Sequence, residues 1–80
     1  MKAIEAVKQA ASQADMPTTH IGRAMGKRDN YVAAVASRGS TPQADTLAAM
    51  LDVCGYKLAA IPEIDVPESA LVIDPSEGTR

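Results

Sequence analysis

Helix-breaking residues recur at short intervals along the first 55 positions, and this spacing bounds what the chain can become. Pro17, Gly26, Gly39 with Pro42, and Gly55 cut it into four pieces. Each piece has room for about two to four helical turns and no more, because proline cannot continue a helix and glycine favours its end.

All four pieces carry apolar residues at helical spacing. In Lys2–Ala14, Ile4, Val7, Ala11 and Ala14 fall on one face, with Glu5, Lys8, Gln9 and Ser12 elsewhere. After Pro17, Thr18 or Thr19 is placed to cap a short second helix whose apolar side is Ile21, Ala24 and Met25. Gly26 stops it, since the sharp turn there needs a residue that takes positive φ without steric cost. A third helix is expected from about Arg28 to Ser37, with Tyr31, Val32, Val35 and Ala36 inward or along the edge. Thr41 as cap, Pro42 as first helical residue and Gly55 past the end frame a fourth, with Leu47, Met50, Leu51 and Cys54 as its buried stripe.

Beyond Gly55 the pattern changes. Tyr56–Ile61 reads as a short strand, Pro62–Glu68 as a loop and Ser69–Asp74 as a β-branched second strand, with Pro75–Arg80 a frayed tail. The expected fold is therefore mostly α, a compact four-helix unit over residues 1–55 followed by a short β-hairpin over 56–74. Such a hairpin is weak alone. Leu58, Ile61, Leu71, Val72 and Ile73 are the apolar residues least explained by a four-helix core, so they are assigned to contact with a second chain. A chain of 80 residues, which buries only about 60% of its unfolded surface, independently favours a shared core.

Charge divides between the halves. Residues 1–40 hold six bases (Lys2, Lys8, Arg23, Lys27, Arg28, Arg38) against three acids (Glu5, Asp15, Asp29), whereas residues 41–80 hold Lys57 and Arg80 against Asp45, Asp52, Glu63, Asp65, Glu68, Asp74 and Glu77. The net charge of −2 thus hides a basic half and an acidic one, and it is local charge that steers binding.

Several classes are disfavoured. One cysteine, Cys54, allows no intrachain disulfide and fits core packing in a reducing cytosol. No long apolar stretch suggests a membrane span, so a cytoplasmic location is expected. His20 lacks partners at ligand spacing and reads as a surface residue. There is no glycine-rich phosphate loop and no nucleophile with a plausible base, so neither an enzyme nor a cofactor or metal is expected.

The second and third helices and their glycine turn have the length and spacing of a helix-turn-helix, in which one helix crosses the DNA backbone and the next enters the major groove. Gly22 falls where the two come closest. The run Thr18-Thr19-His20-Ile21-Gly22-Arg23-Ala24-Met25-Gly26, followed by Lys27-Arg28-Asp29-Asn30-Tyr31-Val32-Ala33-Ala34-Val35, resembles the phage repressor and Cro family of regulators. The likeness extends through Arg38-Gly39, Pro42, Thr46-Leu47, Leu51 and Gly55-Tyr56, covering about residues 2–61. This chain departs from the family in having Gly22 where alanine is common and Thr18 where a phosphate-contacting glutamine is common.

With the third helix in a groove, Asp29, Asn30, Ala33, Ala34 and Ser37 are the candidate base contacts. Asparagine pairs bidentately with adenine, a carboxylate accepts from cytosine, and alanine meets a thymine methyl. Thr18, Arg23, Lys27, Arg28, Tyr31 and Arg38 are the candidate phosphate contacts. Plainer roles stand beside these: Asp29 as a helix cap or dipole partner, Lys27 and Arg28 as a solvated turn, Tyr31 as cover for the core edge. The resemblance implies a dimeric transcriptional regulator, a repressor on a palindromic operator. The alternative is an antitoxin or adaptor whose acidic half binds a toxin or other protein, with DNA binding for autoregulation. A blander alternative is a helical interaction module that has lost DNA binding.

Overall fold

The computed structural model describes residues 1–75. It contains four helices, α1 (Ala3–Gln13), α2 (Thr18–Ala24), α3 (Tyr31–Arg38) and α4 (Ala44–Val53), and a single 3-10 turn at Glu63–Asp65. Within the chain, α2 packs chiefly on α3 and α1 on α4, with α1 also touching α3 and α2 touching α4.

Small side chains set the packing of α1. Its buried residues are Ala3, Ala6, Val7, Ala10 and Ala11, a stripe rotated from the expected one: Ile4 is half-buried and Ala14 exposed. Four alanines on one face let the neighbouring helices approach closely, and that closeness draws the alanine stripe inward. Ile21, Met50, Val7 and Val32, one from each helix, are the largest fully buried side chains. The stripe expected on α4 is buried throughout, as Leu47, Met50, Leu51 and Cys54. Among the described residues the core contains no polar or charged side chain apart from the Cys54 thiol. Burial pushes that thiol above its ordinary value, so it stays protonated at neutral pH.

Three helices end in the same way. At the end of α2, Gly26 takes φ +72°, its N–H donates to the Arg23 carbonyl at 3.0 Å, and the Lys27 N–H donates to the Gly22 carbonyl at 2.8 Å. This paired closure is a Schellman motif. The end of α4 repeats it with Gly55, Tyr56 bonding back to Leu51 at 2.9 Å. The end of α1 repeats it with Met16 bonding back to Ala11 at 2.9 Å, but the residue at positive φ there is Asp15, at +57°.

The helix starts differ from expectation. Among the described residues no helix has a side-chain cap of the Ser/Thr type: Pro17 precedes α2, which begins at Thr18, and Gln43 precedes α4, which begins at Ala44. Thr41 and Pro42 therefore lie outside α4. Likewise α3 begins at Tyr31, three residues later than Arg28, because residues 27–30 complete the turn between helices.

No strand forms among the described residues, so the expected C-terminal hairpin is corrected. Tyr56–Ile61 and Ser69–Asp74 do not pair. Two prolines, Pro62 and Pro67, bracket the 3-10 turn between them, and the second segment finds another backbone partner. The Asp74 N–H donates to the Met1 carbonyl at 2.9 Å, and the Met1 amino group donates to the Val72 carbonyl at 3.1 Å and to the Asp74 carboxylate. Leu58, Leu71 and Ile73 thus pack half-buried against the helical core, while Ile61 and Val72 stay exposed. Tyr56 is tied to α1 by a hydrogen bond from its hydroxyl to Gln13. The part of the expected tail at residues 76–80 lies outside the described residues. No helix among them is long and apolar enough to cross a membrane.

Candidate functional site

One face of α3 and the turn that leads into it bring most of the candidate residues together. The starting point is Gly22, which is buried in α2. A Cβ there would lie 2.2 Å from the Arg28 carbonyl oxygen and 3.3 Å from the Tyr31 Cβ. The turn before α3 therefore rests directly on the α2 backbone, and any side chain at position 22 would push it away. The closest approach foreseen at Gly22 is real, and its partners are the Arg28 carbonyl and the first residue of α3.

Clamped at that point, α3 buries Val32 and Val35. At about 3.6 residues per turn, Asn30, Ala33, Ala34 and Ser37 follow the i, i+3, i+4, i+7 pattern on the opposite side. Asn30, Ala33 and Ser37 are exposed and Ala34 is half-buried. Asn30 occupies the N-cap position, yet its side chain makes no cap bond, leaving its amide free of the helix start. Three of these four side chains are small, so the helix backbone can come close to whatever this face meets.

Cations frame the stripe. Lys27 and Arg28 are exposed in the turn, and Arg38 is exposed in the last turn of α3. The Lys27 ammonium sits 5.8 Å from the centre of the Tyr31 ring, within cation–π range. Tyr31 itself is half-buried against the core, so it covers the core edge and holds Lys27 at the same time. Thr18, the first residue of α2, is half-buried and makes no side-chain cap bond.

Asp29 and Arg23 are joined in a way that residue spacing did not reveal. The Arg23 Nε and Nη2 each donate to one oxygen of the Asp29 carboxylate, both at 2.8 Å. This fork links the last turn of α2 to the residue before Asn30. Asp29 is therefore not a cap for α3; its carboxylate faces a guanidinium. The hydrogen bond from Arg23 holds the Asp29 carboxyl below its ordinary value of 3.8, against an opposing desolvation that outweighs the further lowering by the guanidinium's charge. The reciprocal bond, then the Coulomb attraction, raises Arg23. Both side chains are well exposed, at 67% and 53%, so the pair adds little to stability. Its consequence is orientation: Arg23 is partly neutralised, and the net positive charge of this face comes from Lys27, Arg28 and Arg38.

The arrangement offers an amide, a hydroxyl and two methyl groups on an exposed helix face, with cations around them. Among the described residues no cluster of side chains suits a metal ion. No family model, no curated protein and no solved structure matches the chain.

Proposed function

We propose that the chain is a sequence-specific DNA-binding transcriptional regulator, acting as a dimeric repressor of the helix-turn-helix type on a palindromic operator. The observation that carries this reading is the outward stripe of α3, Asn30, Ala33, Ala34 and Ser37, opposite the buried Val32 and Val35 and framed by Lys27, Arg28 and Arg38. An α-helix fits the major groove, and small outward residues let it enter deeply. In this reading Asn30 pairs with an adenine, Ala33 and Ala34 meet thymine methyl groups, and Ser37 bonds a base edge or the backbone at the far end.

Phosphates are met by Lys27, Arg28 and Arg38, with the Tyr31 hydroxyl and Thr18 as neutral donors. Arg23 joins them through whatever part of its guanidinium Asp29 leaves free. Two copies would read half-sites about 34 Å apart, one turn of duplex.

The test is a mobility-shift titration of a bound duplex across a salt series. Arg28→Ala should weaken binding to every sequence and make the salt dependence shallower by about one counterion, whereas Asn30→Ala should relax preference at a single base position. Equal, sequence-blind losses from both variants would contradict the assignment.

A further inference from the structure

Exposed large hydrophobic side chains are few, and they gather in one part of the chain: Ile61 at 47%, Ile64 at 93% and Val72 at 51%. Ile61 and Val72 belong to the wall of a groove of about 390 Å³ between α1, the end of α4 and the C-terminal segment. The rest of that wall is mainly aliphatic, with Leu51, Leu58, Leu71 and Ile73 prominent. Ile64 does not line the groove. It projects from the 3-10 turn Glu63–Asp65, between Pro62 and Pro67, on the segment that joins the groove's two C-terminal walls. An almost fully exposed isoleucine beside an unfilled aliphatic groove is a knob next to a hole, and large exposed apolar surface marks an interaction site.

Charge indicates what fills it. The knob is flanked by two acids, Glu63 and Asp65, and among the described residues the only charged one on the groove wall is Lys57. A second copy brings both complements: its acidic turn meets Lys57 while its Ile64 enters the groove, and two-fold symmetry repeats the contact with the roles exchanged. Knob and hole are neighbours in the chain, since Ile61 and Val66 of the groove wall stand on either side of Ile64, and an isologous interface uses the same patch on both copies.

We propose that the chain dimerises through this reciprocal contact, Ile64 of each copy seated in the groove of the other and Glu63 and Asp65 facing Lys57. This deepens the dimeric part of the function proposed above and is independent of whether the dimer binds DNA. It also places the decisive residue outside the extended segments assigned to dimerisation from the sequence.

Sedimentation equilibrium of the full chain without DNA tests it. The parent should be dimeric at tens of micromolar, Ile64→Asp should raise the dimer dissociation constant at least tenfold, and its far-ultraviolet circular dichroism should match the parent, since the side chain is almost wholly solvent-exposed. Lys57→Glu should weaken the dimer, and adding Glu63→Lys with Asp65→Lys should restore it. A dimer indifferent to Ile64→Asp would overturn this contact while leaving dimerisation intact. A chain that is monomeric throughout, or that is dimer-free and forms a one-to-one complex with a different protein through Ile64, would overturn both.

Discussion

At position 22 the structure makes a demand that only glycine meets. The Arg28 carbonyl oxygen occupies the space where a Cβ would stand, at 2.2 Å, and it is backbone that cannot rotate aside. Gly22→Ala is therefore expected to destabilise the fold by about 1–3 kcal/mol, the usual range for overpacking, in a urea titration; an unchanged midpoint would show that the turn yields freely. The Arg23–Asp29 fork makes a different kind of statement. Because the folded carboxyl lies below its ordinary value of 3.8, its stabilisation is complete above that value and lost as pH falls through the lower folded value. Carbon-detected titration should place Asp29 below 3.8, and Arg23→Ala should return it there. Asp29→Ala should also free the full positive charge of Arg23, which in the proposed reading lies beside the phosphates. The expected result is tighter, sequence-blind DNA binding with a steeper salt dependence. Loss of preference at one base would instead make Asp29 a reader of cytosine.

Among the elements, what was legible in the sequence follows from how each helix is terminated. The C-terminal ends of α2 and α4 were readable because Gly26 and Gly55 stand where φ is positive. The end of α1 was placed through Pro17, while the residue that makes the turn is Asp15, and nothing marks an aspartate in advance as left-handed. Asp15→Gly should raise stability by about 0.5–1 kcal/mol by removing the Cβ penalty, measured by thermal melting. Helix starts were less readable because Thr18, Thr19 and Thr41 suggest caps that the structure does not use. The buried stripe of α4 and the inward valines of α3 were legible from helical spacing alone. Of the candidate site, the outward stripe of α3 was legible by the same periodicity, but the fork between Arg23 and Asp29 was not. Residues six apart share no helix face, and only the turn resting on Gly22 brings them together. The two C-terminal segments have strand-like composition, yet pairing is a property of partners, and Met1 takes the backbone groups of Val72 and Asp74.

At the largest scale charge is divided: Lys27, Arg28 and Arg38 stand around the outer face of α3, whereas Glu63 and Asp65 flank the exposed Ile64 in the C-terminal half. In the proposed reading the cations meet phosphates, and the two acids beside Ile64 serve the contact with a second copy. In the proposed reading the outer face of α3 reads duplex DNA in a sequence-dependent way. Selection of bound duplexes from a random pool by the full chain at moderate salt tests it most directly. The predicted result is an enriched inverted repeat with half-sites about one helical turn apart, in which Asn30→Ala makes one position per half-site degenerate. A pool that emerges from successive rounds with no enriched sequence would contradict it.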